Sequence, residues 1–131
     1  MAGDPDGLRI LARHSQIPVE RITYLSNADQ ATLAYIDRGV LFLMAFWSSS
    51  SVEAFAKLTD VLARLDSKAL KVVVADVEGS PELYEIPELK DEIYGAGETA
   101  WVRKGKIVAT SGLGMNTACF EPNTRALLAM P

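Results

Sequence analysis

The stretch that decides the fold is "VLFLMAFWSSSSVEAFAKL", Val40 to Leu58, where an apolar run, four serines and an amphipathic segment follow one another. The continuously apolar run is typical of a strand that is buried on both faces and therefore central. Ser50 and Glu53 have the S-x-x-E spacing of a capping box. The helical spacing after them is carried by Phe55, Leu58, Leu62 and Leu65. The stretch predicts a central strand and a helix from about Ser51 to Leu65, capped by Ser50 or a neighbouring serine.

Weaker patterns on both sides predict the remaining elements. They are a short helix around Leu8 to Ala12, a strand over Arg21 to Leu25, a helix from about Asn27 to Asp37, a strand over Leu70 to Glu78, one or two short helices between Ser80 and Gly97 with Pro87 in a first turn, hairpin strands over Thr99 to Val102 and Lys106 to Thr110, and a last helix capped by Asn123. Strands joined across helices pair in parallel, whereas the hairpin is antiparallel. The order predicts an α/β domain over residues 21–131, with a mixed sheet between helices and an N-terminal extension over residues 1–20.

Length and composition indicate one globular domain. The chain has 131 residues, of which 49% are apolar and 23% charged, and its net charge is -4. The negative charge argues against nucleic acid and anionic membranes as partners, and the apolar run Val40 to Trp47 is too short to span a bilayer. The N-terminus lacks the pattern of a signal peptide, and the one cysteine, Cys119, fits a reducing compartment. We therefore expect a cytoplasmic protein.

Four segments, taken in this order, resemble thioredoxins. "ITYLSNAD" is similar to the opening strand and helix start of that family, "GVLFLMAFW" to the strand that leads to its active site, "KVVVADVE" to its third strand, and "WVRKGKIV" to its terminal hairpin. The resemblance covers the chain from about Ile22 to the C-terminus. It implies a thioredoxin-like three-layer α/β/α fold with a mixed central sheet, preceded here by an N-terminal helical extension.

The resemblance places the four serines at the redox motif of the family, W-C-G-P-C. Trp47 matches the tryptophan, Ser48 and Ser51 match the two cysteines, and Ser49 and Ser50 match the pair between them. A helix N-terminus lowers the pKa of a thiol there, but a serine cannot form a disulfide and its hydroxyl stays protonated without a strong base. The resemblance therefore implies a redox-inactive member with no catalytic residue at this site.

Two further features of the family are absent. Ala45 stands where the family has a buried acid, and Gly97 or Glu98 stands where it has a cis-proline. A cis bond before a residue other than proline costs a few kcal/mol, so we expect a trans bond. A laboratory exchange of cysteine for serine would remove the cysteines only, so these additional losses favour a natural, redox-inactive descendant.

Other catalytic and metal chemistry is not indicated. The single histidine, His14, lies in the N-terminal extension, and "WSSSSV" is not a G-x-S-x-G nucleophile motif. One histidine does not make a metal site, and the acids of "DVEGSPELYE" lack the spacing of a calcium loop. We expect no metal and no cofactor.

The family resemblance implies a binding module for another protein or an extended peptide. The expected groove is lined by Trp47, Gly97, Glu98, Thr99, Gly112 and Leu113. Redox-inactive relatives serve as co-chaperones, assembly factors or adaptors, and the bacterial accessory proteins of hydrogenase maturation are one such group. The competing interpretation of Trp47 is that its ring only shields the core.

Two other functions remain open. In one, the chain is a thiol-disulfide oxidoreductase whose active-site cysteines at positions 48 and 51 were replaced by serine, which the natural gene sequence would reveal. In the other, the chain acts as a homodimer through Leu8 to Leu11. Light scattering would test the homodimer.

Overall fold

A computed structural model of the chain describes residues 6–112 and 116–131. Within these ranges the strands are β1 (Ile22–Leu25), β2 (Arg38–Met44), β3 (Lys71–Asp76), β4 (Thr99–Arg103) and β5 (Lys106–Thr110). The α-helices are α1 (Gly7–His14), α2 (Ser49–Arg64) and α3 (Phe120–Ala129). Short 3-10 helices cover Val19–Arg21, Gln30–Tyr35, Pro81–Glu85 and Thr117–Cys119.

The strands form one mixed sheet in the order β1-β3-β2-β4-β5. β1 and β2 pair in parallel with β3, whereas β4 is antiparallel to β2 and β5 is antiparallel to β4. The mixed sheet, the central position of β2 and the terminal hairpin are confirmed. The carboxyl ends of the parallel strands meet at one edge, and β4 begins at this same edge because Thr99 pairs with Phe42.

One face of the sheet packs against all three α-helices. Alternate residues of β2, among them Phe42, belong to this core together with the apolar stripe of α2. The predicted stripe is confirmed: Phe55, Leu58 and Leu62 are at most 1% exposed, and Leu65 packs at the rim. The rings of Phe42 and Phe55 meet edge to face with their centroids 5.6 Å apart. Trp101 is fully buried in the same core.

The opposite face is covered by 3-10 turns instead of α-helices. The helix predicted over Asn27 to Asp37 is only Gln30–Tyr35, because a capping box between Asp29 and Thr32 starts it late and the chain is extended again at Ile36 before it enters β2. The short helices predicted between Ser80 and Gly97 shrink to Pro81–Glu85. Pro87 was wrongly placed in a helical turn: the residue before a proline avoids the helical region, and Ile86 is extended.

The last helix begins three residues earlier than predicted. It starts at Phe120, so Asn123 lies inside α3 and is not its cap. Pro122 lies in the first turn, where its missing N–H costs nothing because the N–H groups of that turn have no partner within the helix.

The described part of the predicted N-terminal extension packs against the rest of the chain. Leu11 is fully buried in the helical core, and the backbone N–H of Gln16 donates to Thr59 Oγ1 of α2 at 3.0 Å. Leu11 is therefore unavailable for the homodimer contact that the sequence suggested, whereas Leu8 is 53% exposed. The start of α1 approaches the rings of Tyr24 and Phe46 at Gly7, beside the edge where the motif begins.

Candidate functional site

The four serines form the turn and first helical residues that follow β2. The N–H of Ser48 donates to the carbonyl of Ala45 at 2.9 Å, which closes a tight turn around Trp47. The Ser48 hydroxyl then accepts from the N–H of Ser51 at 3.4 Å and caps α2. A neighbouring serine rather than Ser50 is therefore the cap, because α2 begins at Ser49, two residues earlier than predicted.

Ser51, which the sequence resemblance matches to the second cysteine of the redox motif, is fully buried. Its hydroxyl oxygen accepts from the backbone N–H of Ala45 at 2.9 Å, and its proton points to the sulfur of Met44 at 3.4 Å. These bonds join the end of β2 to the first turn of α2. Ala45, which the resemblance matches to a buried acid, is also fully buried. The hydroxyls of Ser48 and Ser51 thus have structural partners.

We predict that the serines differ in their contributions to stability. Ser51→Ala should lower the free energy of unfolding by about 2 kcal/mol, since it leaves the buried N–H of Ala45 without a partner. Ser48→Ala should cost about 1 kcal/mol as the loss of a cap. Ser49 is exposed, so Ser49→Ala serves as the control and should stay within about 0.5 kcal/mol of the parent. Urea denaturation measures all three. Equal losses would contradict this assignment of the hydrogen bonds.

The Trp47 ring lies on the outside of the turn. It is 66% exposed, and its six-membered edge rests on Gly95: a Cβ at Gly95 would lie 2.7 Å from Cη2 of the indole. Gly95 has a φ of +76°, and Trp47 is 48 residues away in sequence. The ring therefore joins the motif to the loop before β4 and leaves most of its surface to solvent.

The loop from Tyr94 to Glu98 is folded around a carboxylate. Glu98 is 2% exposed, and its Oε1 accepts from the backbone N–H groups of Tyr94 at 3.2 Å and Ala96 at 3.3 Å. Glu98 Oε2 is also buried and has no hydrogen-bond partner among the described residues. The Glu98 carbonyl accepts from the N–H of Leu43 at 2.9 Å, which fixes the loop to β2.

Gly97 is buried, and its backbone lies close to α2 and β2. A Cβ there would lie 2.4 Å from Cβ of Ala54 and 3.2 Å from the Phe42 ring. The Gly97 carbonyl accepts from the Thr99 hydroxyl at 3.1 Å. Across the described residues no peptide bond is cis, in agreement with the trans bond expected at Gly97 or Glu98.

The segment that follows β5 supplies the remaining residues of the expected groove, Gly112 and Leu113. Thr99 is fully buried. Its carbonyl accepts from the N–H of Ser111, and its own N–H donates to the Ser111 hydroxyl, each at 2.9 Å. Gly112 follows Ser111, so it lies next to the loop before β4. Leu113, the last residue predicted for the groove, lies outside the described residues.

Cys119 lies outside the serine motif, just before α3. It ends the 3-10 turn before α3, its thiol contacts the carbonyl of Asn116 at 3.1 Å, and it packs at the rim of the helical core. Burial raises the pKa of the Cys119 thiol, which disfavours the reactive thiolate. A chain with this single cysteine cannot form an intrachain disulfide.

The described ranges contain neither a metal-ligand cluster nor a membrane-spanning helix. No group of three or more His, Cys, Asp or Glu side chains there could hold a metal ion. None of the helices in that part of the chain is long and apolar enough to cross a bilayer.

The sequence did not identify three residues of this edge. Tyr94 is 63% exposed and Tyr84 is 42% exposed, and Gly95 supports the Trp47 ring. Burial raises the pKa of the Tyr84 phenol, and the negative charges of Glu98 and Glu78 add to the rise. The position of Tyr94 in the glycine-containing loop before β4 could have indicated an exposed ring at this edge. No spacing rule indicates Tyr84.

Comparison with known proteins identifies the architecture. No protein-family profile matches the sequence, and no curated protein matches it either. Mitochondrial thioredoxin 3 of Saccharomyces cerevisiae is similar in structure, with a TM-score of 0.63 at 18% identity over 82% of this chain and 96% of that one. Thioredoxin of Malassezia sympodialis has a TM-score of 0.65 at 14% identity, over 82% and 91% of the two chains.

Thioredoxin of Trypanosoma brucei brucei superposes with a TM-score of 0.61 at 11% identity, over 81% of this chain and 92% of that one. All three organisms are eukaryotes, so these neighbours give no support to a bacterial source. At such low identities the likeness establishes the fold alone. The order of the strands and the helix that follows Trp47 agree with it. The chain has the thioredoxin fold and contains a single cysteine.

Proposed function

We propose that this protein is a redox-inactive binding module that holds an extended segment of another protein at the edge formed by Trp47 and the loop from Tyr94 to Thr99. The observation that carries the proposal is the exposure of Trp47. A ring that is 66% exposed does little to shield a core, and it rests on the loop that borders the carboxyl end of β2. Open α/β sheets bind ligands at this end of their strands.

The chemistry of the site supports binding over catalysis. The single cysteine, Cys119, provides no dithiol, and the hydroxyls of Ser48 and Ser51 accept backbone N–H groups. A co-chaperone, assembly factor or adaptor needs a binding surface but no catalytic dithiol. Such roles use an aromatic anchor to supply apolar contact area.

Several backbone groups of the loop are already bonded within the chain. The N–H groups of Tyr94 and Ala96 donate to Glu98, and the carbonyls of Gly97 and Glu98 accept from Thr99 and Leu43. The two N–H groups cannot donate to an incoming strand while the loop keeps this shape, whereas each carbonyl keeps a second lone pair. With fewer backbone donors available, we expect the side chains, and the aromatic rings above all, to supply most of the affinity.

The test is a selection of displayed random heptapeptides on the protein, followed by fluorescence anisotropy with the enriched peptides. Trp47→Ala should raise their Kd at least tenfold, roughly 1.4 kcal/mol. The fold should persist, because the ring is mostly exposed. Tyr35→Ala is the matched control: Tyr35 is 75% exposed but precedes β2, at the opposite edge of the sheet, and should change Kd less than twofold.

Three outcomes would reject the proposed function. They are a selection that enriches no peptide, an unchanged Kd in a folded Trp47→Ala variant, and equal weakening by Trp47→Ala and Tyr35→Ala. The last result would mean that any exposed ring captures these peptides.

A further inference from the structure

Two exposed aromatic residues, Trp47 and Tyr94, contact the loop that holds the buried carboxylate of Glu98 at the proposed binding edge. The Tyr94 N–H bonds Glu98 Oε1, and the Trp47 ring rests on Gly95, the next residue of the same loop. The rings are 66% and 63% exposed for Trp47 and Tyr94. This arrangement presents aromatic surface beside a negative charge.

The carboxylate has one oxygen left to bond. Glu98 Oε1 accepts two backbone N–H groups, whereas Oε2 is buried and has no hydrogen-bond partner within the described ranges. Leaving a buried charged acceptor unsatisfied is costly, and a donor that reached it would gain a charge-assisted hydrogen bond. Because Oε2 is buried, a donor reaches it only if a neighbouring side chain or the loop moves.

The surrounding charge favours a cationic donor. The segment 76–98 contains eight acidic residues and one lysine, a net charge of -7, whereas the whole chain carries -4. The remaining residues therefore sum to +3. The acids are Asp76, Glu78, Glu82, Glu85, Glu88, Asp91, Glu92 and Glu98. Negative charge is thus concentrated on the segment that leads into the aromatic edge, and it would attract a basic partner.

We propose that the occupant of this edge is an arginine side chain on the bound segment of the partner protein, an inference that rests on the proposed function. The guanidinium donates to Glu98 Oε2 and stacks against the rings of Trp47 and Tyr94. Arginine fits better than lysine because its planar group combines stacking on aromatic faces with several N–H donors. Specificity then comes from Glu98 and contact area from the rings.

The test uses the heptapeptides enriched in the selection described above. Arginine should recur at one position among them, and its replacement by citrulline, which is neutral and nearly isosteric, should raise Kd at least tenfold on the unmodified protein. Glu98→Gln should do the same, because the amide oxygen can still accept the loop N–H groups while the charge is lost. Glu88→Gln is the control: it removes an exposed charge of the same segment and should change Kd less than twofold.

The results separate this inference from the proposed function. Trp47-dependent peptides without arginine, or citrulline peptides that bind equally well, would overturn the arginine site and leave the binding module standing. Equal effects of Glu98→Gln and Glu88→Gln would show general electrostatic attraction and also overturn it. If Glu98→Gln fails to fold by circular dichroism, the citrulline comparison on the unmodified protein decides alone. A selection without any Trp47-dependent peptide would reject both proposals.

Discussion

Gly97→Ala should destabilise the protein by about 3 kcal/mol. The added Cβ would lie 2.4 Å from Cβ of Ala54 and 3.2 Å from the Phe42 ring, so α2 or the loop must shift. Overpacking of this kind costs about 1–3 kcal/mol. Gly97 also has a φ of +86°, which alanine adopts with a penalty of about 1 kcal/mol. Urea denaturation with an unchanged m-value would measure the sum.

Gly112→Ala is the matched control for this change. Gly112 has a φ of +75°, close to that of Gly97, but no described atom lies within 4 Å of a Cβ built on it. Gly112→Ala should therefore lower the free energy of unfolding only by the backbone penalty of about 1 kcal/mol. The difference between the two variants isolates the close approach of the loop to α2. Equal losses in both variants would contradict that close approach.

The helices and strands could be predicted from the sequence only where their apolar patterns are strong. α2 was predicted because its apolar stripe is periodic, and β2 because its apolar run is continuous. The helix expected over Asn27 to Asp37 has neither signal, and its length was decided by the need to enter β2 in an extended conformation. Local pattern predicts elements well where the pattern is strong.

Contacts between distant segments have no such pattern. The order of motifs was enough to place the serines at the start of α2. It could not show that Trp47 rests on Gly95, or that Glu98 folds its own loop through Tyr94 and Ala96. These features depend on which backbone groups are left without partners after the sheet forms. The sequence placed Glu98 in the expected groove, but not as a buried acid.

Trp101→Ala should destabilise the protein by about 4 kcal/mol, the other large effect that we expect. The side chain is fully buried, and its indole N–H donates to the Thr124 hydroxyl of α3 at 3.0 Å. Its ring centroid lies 6.1 Å from that of Phe120, also on α3. Truncation of a buried aromatic costs about 3–5 kcal/mol through lost contacts and the cavity left behind. Here it also removes the hydrogen bond to Thr124 and the ring contact with Phe120, both of which join α3 to the sheet.

Two further variants separate packing from hydrogen bonding. Thr124→Val keeps the side-chain shape but leaves the buried indole N–H without an acceptor, so it should cost about 1–3 kcal/mol. Val108→Ala truncates a hairpin residue that is 44% exposed and should stay within about 1 kcal/mol of the parent. If Trp101→Ala were as mild as Val108→Ala, α3 would be docked by its other apolar residues. Chemical denaturation of the three variants, together with amide exchange over α3, distinguishes these cases.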